Sequence, residues 1–249
     1  MALEFWHFAA LIAAGTIGGI INVMAGGGSI ITVPLMILLG VPGPVANGTN
    51  RIAILAQNVT AVATFHHNGL TRFRLGMSLT ACAIPGAALG AWVGSSLSGD
   101  VFNKILAVIM VLVLILMQTG SSNKNDHDTE PRNQVLGHML MVGAGFWGGF
   151  IQIGMGFILL PILHRVMGLK LVTANVLKTF ITAGYTTVAL IVFMINSDIL
   201  WLVGGVLAIG NSLGGYLGAK LTISKGEVLI RRFMTVAITV LVVRLLFFD

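Results

Sequence analysis

Apolar residues in this chain come in long blocks, separated by glycine, proline or charge, and not at the alternating spacing of half-buried strands. Ten blocks can be marked: Ala2–Val23, Ser29–Gly40, Val45–Phe65, Leu75–Leu97, Val101–Gln118, Val135–Ile153, Gly156–Gly168, Val172–Ile195, Ile199–Ala219 and Val228–Phe248. Most approach the roughly 20 residues that a helix needs to cross a bilayer. The second and seventh are shorter, and each follows a glycine-rich stretch. They are expected to be broken or re-entrant helices, which a membrane tolerates only where protein or a wet cavity surrounds them.

The one long hydrophilic stretch, Gly120–Asn133, divides the blocks five and five. It predicts an N-terminal half over 1–119, a linker over 120–133 and a C-terminal half over 134–249. The halves echo each other. Gly18-Gly-Ile-Ile-Asn22 returns as Gly148-Gly-Phe-Ile-Gln152, Gly28-Ser-Ile-Ile-Thr-Val-Pro34 as Gly156-Phe-Ile-Leu-Leu-Pro161, and Ala46-Asn-Gly-Thr-Asn50 as Ala174-Asn-Val-Leu-Lys178. The spacing of Gly86, Gly90 and Gly94 recurs at Gly210, Gly214 and Gly218. Arg72 and Arg74 after the third block, and Lys220, Lys225, Arg231 and Arg232 after the ninth, mark cytoplasmic loops, with the linker also inside. The counterpart of the Arg72 loop, Asn196-Ser-Asp198, carries no cation and reads as outside, as do both termini. Equivalent loops on opposite faces predict an all-α polytopic membrane protein built from two inverted repeats.

Composition agrees. Hydrophobic residues make up 56% of the 249 positions and charged residues 9%, too few to coat a soluble particle. The net charge of +6 is scattered, with no basic, aromatic-interleaved patch for nucleic acid. The lone Cys82, in an apolar run, excludes an internal disulfide or a cysteine metal cluster and reads as a small core residue. The N-terminus lacks a basic leader region, so its apolar run reads as a retained membrane segment.

Three consecutive glycines, Gly26, Gly27 and Gly28, must interrupt a helix, at about 1 kcal/mol each relative to alanine. The break frees backbone N–H groups that favour an anion. Asn22 and Ser29 flank it, and Gln152, Gly154 and Gly156 form its partner. The other glycine triplets read as close helix packing. All eight acids fall at termini or predicted loops, so no carboxylate marks a cation path. Arg51 and Lys178, with Asn50 and Asn175 beside them, lie near the starts of equivalent segments. Either they line an anion-attracting cavity or they snorkel to an interface. Asn175, Lys178, Thr182 and Tyr185 share one helix face, as do Asn47, Arg51 and Asn58, with Gln57 adjacent. His66, His67 and His164 read as solvated caps, and His138 as the best-placed titratable group for proton coupling. Met24 and Met155 read as packing.

The run Ala25-Gly-Gly-Gly-Ser-Ile-Ile-Thr-Val-Pro34, with Ala46-Asn-Gly-Thr-Asn-Arg51, resembles the first repeat of the TauE/SafE family. Gly148–Gly156 through Ala174–Lys178 resembles its second repeat. The resemblance implies a permease of the bacterial inner membrane that exports sulfite, sulfonates or related sulfur anions. With the glycine breaks and the cations, the substrate is expected on Asn22, Gly26, Gly27, Gly28, Ser29, Asn50, Arg51, Gln152, Gly154, Gly156, Asn175 and Lys178. The second glycine cluster is reduced to Gly154-Met155-Gly156 and followed by the bulkier Phe157, which puts exact symmetry of the two half-sites in doubt. No cofactor, metal or nucleic acid is called for; the partners are a small anion and the bilayer, and homodimer formation stays open. The alternatives are a permease for another small anion or an organic acid, a metal-cation permease, and an intramembrane hydrolase using Ser29, which would lack a buried acid to orient its base.

Overall fold

The computed structural model describes residues 5–106, 108 and 131–247, with side chains as far as 224. The described residues are helical throughout. In chain order α1 spans Phe5–Met24, α2 Ser29–Leu38, α3 Gly43–His67 and α4 Phe73–Ser96. A further helix, α5, starts at 99 and is followed to 106. Then come α6 (Gln134–Phe150), α7 (Met155–Pro161), a π-helical turn (Ile162–Val166), α8 (Leu171–Asn196) and α9 (Trp201–Phe247). Most of the fifth apolar block and of the 120–133 linker lies outside the described residues.

Among the described residues four stretches are long and apolar enough to cross a bilayer: Trp6–Met24, Phe73–Ser96, Leu171–Asn196 and Trp201–Ser224. The 25-residue α3 is more polar because it turns Asn47, Asn50, Arg51, Gln57 and Asn58 inward. The expected short helices are present, and each follows its glycine break. α2 has 10 residues, and α7 has 7 before it widens into the π turn. Pro161 sits at that change of pitch, where it has no N–H to give to an α ladder.

Two helix pairs make the closest approaches, and both are lined by the glycine stripes. On α4, Gly86, Gly90 and Gly94 face the Val142, Phe146 and Phe150 carbonyls of α6, while Gly145 and Gly149 of α6 face Ala83 and Ala87. On α9, Gly210 and Gly214 face the Ile12 and Thr16 carbonyls of α1, while Gly15 and Gly19 face Leu207 and Asn211. Dispersion between close backbones is what holds helices together where lipid competes equally for apolar side chains. The first helix of each half thus packs on a late helix of the other, and α3 and α8 run between the two pairs.

One expected boundary is corrected. The ninth and tenth blocks form a single helix, Trp201–Phe247, of 47 residues, so Lys220, Lys225, Arg231 and Arg232 lie on a helix and not in a loop. The segment Lys220–Glu227 lowers hydropathy but holds no proline and only Gly226, and its lysines, leucine and glutamate are good helix formers. At 1.5 Å per residue the helix is ~70 Å long, more than twice the thickness of a hydrocarbon core.

Filling the α4–α6 stripe is expected to be costly. Gly90→Val should lower stability by about 1–3 kcal/mol through overpacking, seen as a lower melting temperature in detergent. Gly99→Ala, where an added Cβ meets nothing within 4 Å, should melt with the wild type.

Candidate functional site

The two breaks meet. Gly26 holds φ +84°, a left-handed conformation that glycine adopts without strain, and a Cβ there would overlap the Gly156 backbone. A Cβ on Gly156 would in turn strike the Ala25 carbonyl. The Gly156 N–H points to the Gly26 carbonyl at 3.5 Å. Gly28 packs against the Gly18 carbonyl and Asn22. Gly27 differs from its neighbours. Its Cβ position has only ordinary contacts, with Ile30 and Phe157 at 3.5 and 3.7 Å. In the second break Gln152 and Gly154 take positive φ, 60° and 72°.

Each break leaves late carbonyls of a helix short of donors; at the end of α1 the Asn22 carbonyl still takes the Gly26 N–H at 2.8 Å, while that of Val23 takes no backbone N–H. A cation from the opposite half takes them. On α8, Lys178 Nζ donates to the carbonyls of Asn22 and Val23 at 2.9 and 2.7 Å, at the end of α1. On α3, Arg51 donates to the carbonyls of Gly148 (3.1 Å) and Gly149, at the end of α6, and to Gln152 Oε1 at 3.1 Å. Its guanidinium also lies over the Phe193 ring, 4.6 Å from the centroid. Asn47 adds a bond to the Phe150 carbonyl at 2.8 Å. A positive charge at a helix C-terminus is electrostatically favourable, more so where water is absent. Arg51 near the start of α3 and Lys178 near the start of α8 therefore do matching work, each on a broken helix of the other half.

Arg51 and Lys178 are 1% and 3% exposed, which removes the snorkelling reading for both. Among the described residues no ion pair compensates them; Asp100 and Asp198 are exposed at helix ends. The remaining polar groups surround the crossing. Thr32 donates to Asn50 Oδ1 at 2.8 Å and Asn50 Nδ2 to Ser29 at 3.3 Å. Gln152 Nε2 donates to Thr186 at 3.2 Å, and Asn175 Nδ2 to Thr222 at 3.3 Å. Arg51 Nε and the side-chain Oδ1 of Asn175 are buried without a partner.

All twelve expected site residues thus fall at or beside the crossing, though not in the expected roles. Asn22 serves through its backbone carbonyl. Asn175 turns toward α9, and Ser29 is engaged by Asn50. The histidines lie elsewhere: His138 is half-buried near the start of α6, against Gln134 and Ser78. The Gly148–Phe150 carbonyls, Phe193, Thr186 and Thr222 were not anticipated as partners. Thr186 continues the Lys178–Thr182 face by one turn and was detectable there; the others depend on tertiary contact alone. Two clefts of about 530 and 440 Å³ open on the sides of the bundle, lined by residues of α3 with α9 and of α3, α4 and α8, and hold none of the site residues.

Residues 11–245 match the family model described as "Sulfite exporter TauE/SafE". The chain belongs to the TauE/SafE family. It is 27% identical to "Probable membrane transporter protein ORF9" of Sinorhizobium sp, over 98% of this chain and 94% of that one. It is 28% identical to a "Probable membrane transporter protein" of Haemophilus influenzae, over 92% and 90%, and 24% identical to "Probable membrane transporter protein YfcA" of Escherichia coli K12, over 95% and 88%. No solved structure matches. As a member of the TauE/SafE family the chain is a membrane transporter, and its relatives' bacterial origin is consistent with an inner-membrane location.

Two substitutions separate capping from simple packing in this TauE/SafE protein. Arg51→Met should destabilise by several kcal/mol, since each buried carbonyl left bare costs about 1–3 kcal/mol. Gly27→Ala should fold normally while Gly26→Ala and Gly156→Ala do not, read from the yield of monodisperse protein and its melting temperature.

Proposed function

We propose that this transporter exports a small sulfur-containing oxyanion, sulfite or an organosulfonate, by alternating access between two inverted repeats, 1–119 and 134–249. The observation that carries this reading is a pair of buried cations at the meeting point of two broken helices, with no compensating carboxylate among the described residues. Such a place has positive potential in a low dielectric, which attracts an anion strongly and repels a metal cation. The anion would sit between the breaks. Backbone N–H groups of Gly27, Gly28, Gly154 and Met155 and the Ser29 hydroxyl would face its oxygens, while Asn22, Asn50, Gln152 and Asn175 shape the site. Lys178 and Arg51 Nε would supply charge and a free donor.

All of these groups are buried, so entry requires one half to move against the other. The glycine stripes offer smooth backbone surfaces for such a movement. An inside-negative potential assists outward movement of an uncompensated anion by about 2.3 kcal/mol per charge per 100 mV. Another small anion or organic acid would use the same charge, and the resemblance to sulfite exporters favours sulfur oxyanions.

Thermal stabilisation of the purified protein by sulfite, sulfate, thiosulfate, small sulfonates and chloride tests the reading. A sulfur oxyanion at 100 times its Kd should add about 2.7 kcal/mol. Ser29→Ala should weaken that anion's binding about tenfold or more, the worth of a hydrogen bond to a charged group. Equal stabilisation by chloride, or by none of these anions, would contradict it.

A further inference from the structure

The two helix ends are held in matching ways, but their holders differ chemically. Arginine keeps its proton in any protein environment, whereas a buried lysine is the cation that can release one. The geometry also leaves Lys178 free to do so. An ammonium has three donors, and two are spent on the Asn22 and Val23 carbonyls. A neutral amine keeps two donors and a lone pair. Loss of the third proton therefore leaves both carbonyl bonds in place and α1 capped. What changes is the remaining direction, from an N–H that an anion can accept to a lone pair that repels it.

We propose that Lys178 carries a proton together with the transported anion, making this protein an anion–proton symporter. The inference rests on the anion-transport reading above. With anion bound, Lys178 is the ammonium that compensates it. When the anion leaves, an unaccompanied ammonium would remain buried in the bundle that also holds Arg51, and closing the halves around two uncompensated charges is costly. Lys178 then gives its third proton to water on the release side, and the empty carrier returns with one buried charge fewer. One proton accompanies one monovalent anion, so its cycle is electroneutral, and outward flux slows as the outside is acidified.

Other titratable groups on the elements packed against α8 are poorly placed for this role. Arg51 on α3 is committed to α6 and does not titrate. His66 and His67 on α3 and Arg74 on α4 are exposed at or near helix ends, and Lys220 is exposed within α9, over the Tyr216 ring. Arg72 precedes α4, and Arg165 is exposed in the π turn. His138 on α6 and His164 in the π turn are half-buried, bonded to Ser78 and Gln134 and to the Leu169 carbonyl. Cys82 on α4 is half-buried, α1 holds His7 near its start, and α7 has none. On α8 itself, Tyr185 lies two turns beyond Lys178 and Lys170 precedes the helix.

Proteoliposomes holding the full chain and an internal pH dye test this with methanesulfonate, sulfate and thiosulfate, strong-acid anions that do not buffer near neutrality. In wild type, net methanesulfonate flux should carry one proton per anion and be insensitive to an imposed potassium-diffusion potential. Lys178→Arg should continue anion–anion exchange, which needs no empty return, while net flux falls at least tenfold and proton movement disappears. A role limited to capping would depress exchange and net flux together. Net anion flux without protons in wild type overturns the coupling and leaves the transport reading standing. Proton movement persisting in Lys178→Arg overturns the assignment to Lys178. If wild type neither binds nor exchanges any of the three anions, the transport reading fails and the coupling with it. Should Lys178→Arg not fold, wild type still decides. Anion affinity should fall about tenfold per pH unit above the point where the ammonium is lost, and a flat profile between about pH 6 and about pH 9 overturns the proposal.

Discussion

A helix that stops inside a membrane leaves carbonyl groups that neither lipid nor a following turn can satisfy. Everything else in this bundle depends on how those groups are met. At the end of α1 the donor is Lys178, and at the end of α6 it is Arg51, each reaching across from the other half of the chain. The two halves therefore cannot be built independently, because each supplies the missing cap of its counterpart. The glycines complete the arrangement. Gly26 against Gly156 brings the breaks into contact, and the stripes on α4 and α9 bring α6 and α1 close enough for the caps to reach.

The same solution creates the electrostatic character of the centre. Carbonyl dipoles compensate a cation only in part, and among the described residues no carboxylate adds to them. Two positive charges held in low dielectric set a strong preference for a negative guest. Structural capping and anion recognition are thus two consequences of one placement, and removing the charge at either cation disturbs both. This explains why charge removal at Arg51 or Lys178 is a poor probe of binding by itself, whereas the Ser29 hydroxyl and the exchange-versus-net-flux comparison separate the effects.

Much of the fold was legible in the sequence. Block lengths near 20 residues located α1, α3, α4 and α8 within a few residues, and the glycine breaks located the short helices α2 and α7. The triplets Gly86, Gly90, Gly94 and Gly210, Gly214, Gly218 are legible as packing surfaces from their four-residue spacing, which lines one helix face. The join of α9 was missed for a clear reason: charge interrupts a hydropathy pattern, but only backbone geometry interrupts a helix, and 220–227 has no proline. At the centre, residue types predicted the cast more than the roles. Position alone allows Arg51 and Lys178 either to snorkel or to line a cavity. It cannot show that they cap helices, because a cap is defined by a carbonyl more than 90 residues away. The different surroundings of Ser29, Gln152 and Asn175 are likewise tertiary facts.

The central claim is that the crossing of the two breaks is where the anion sits. The most direct measurement is an anomalous-scattering map of crystals grown with selenate or selenite, whose selenium marks the oxyanion. The account predicts a peak between the breaks, within hydrogen-bonding reach of Lys178 Nζ or the Gly26–Ser29 backbone. Saturable selenate or selenite binding with the peak elsewhere, in a lateral cleft or on a helix-end cation, would contradict it.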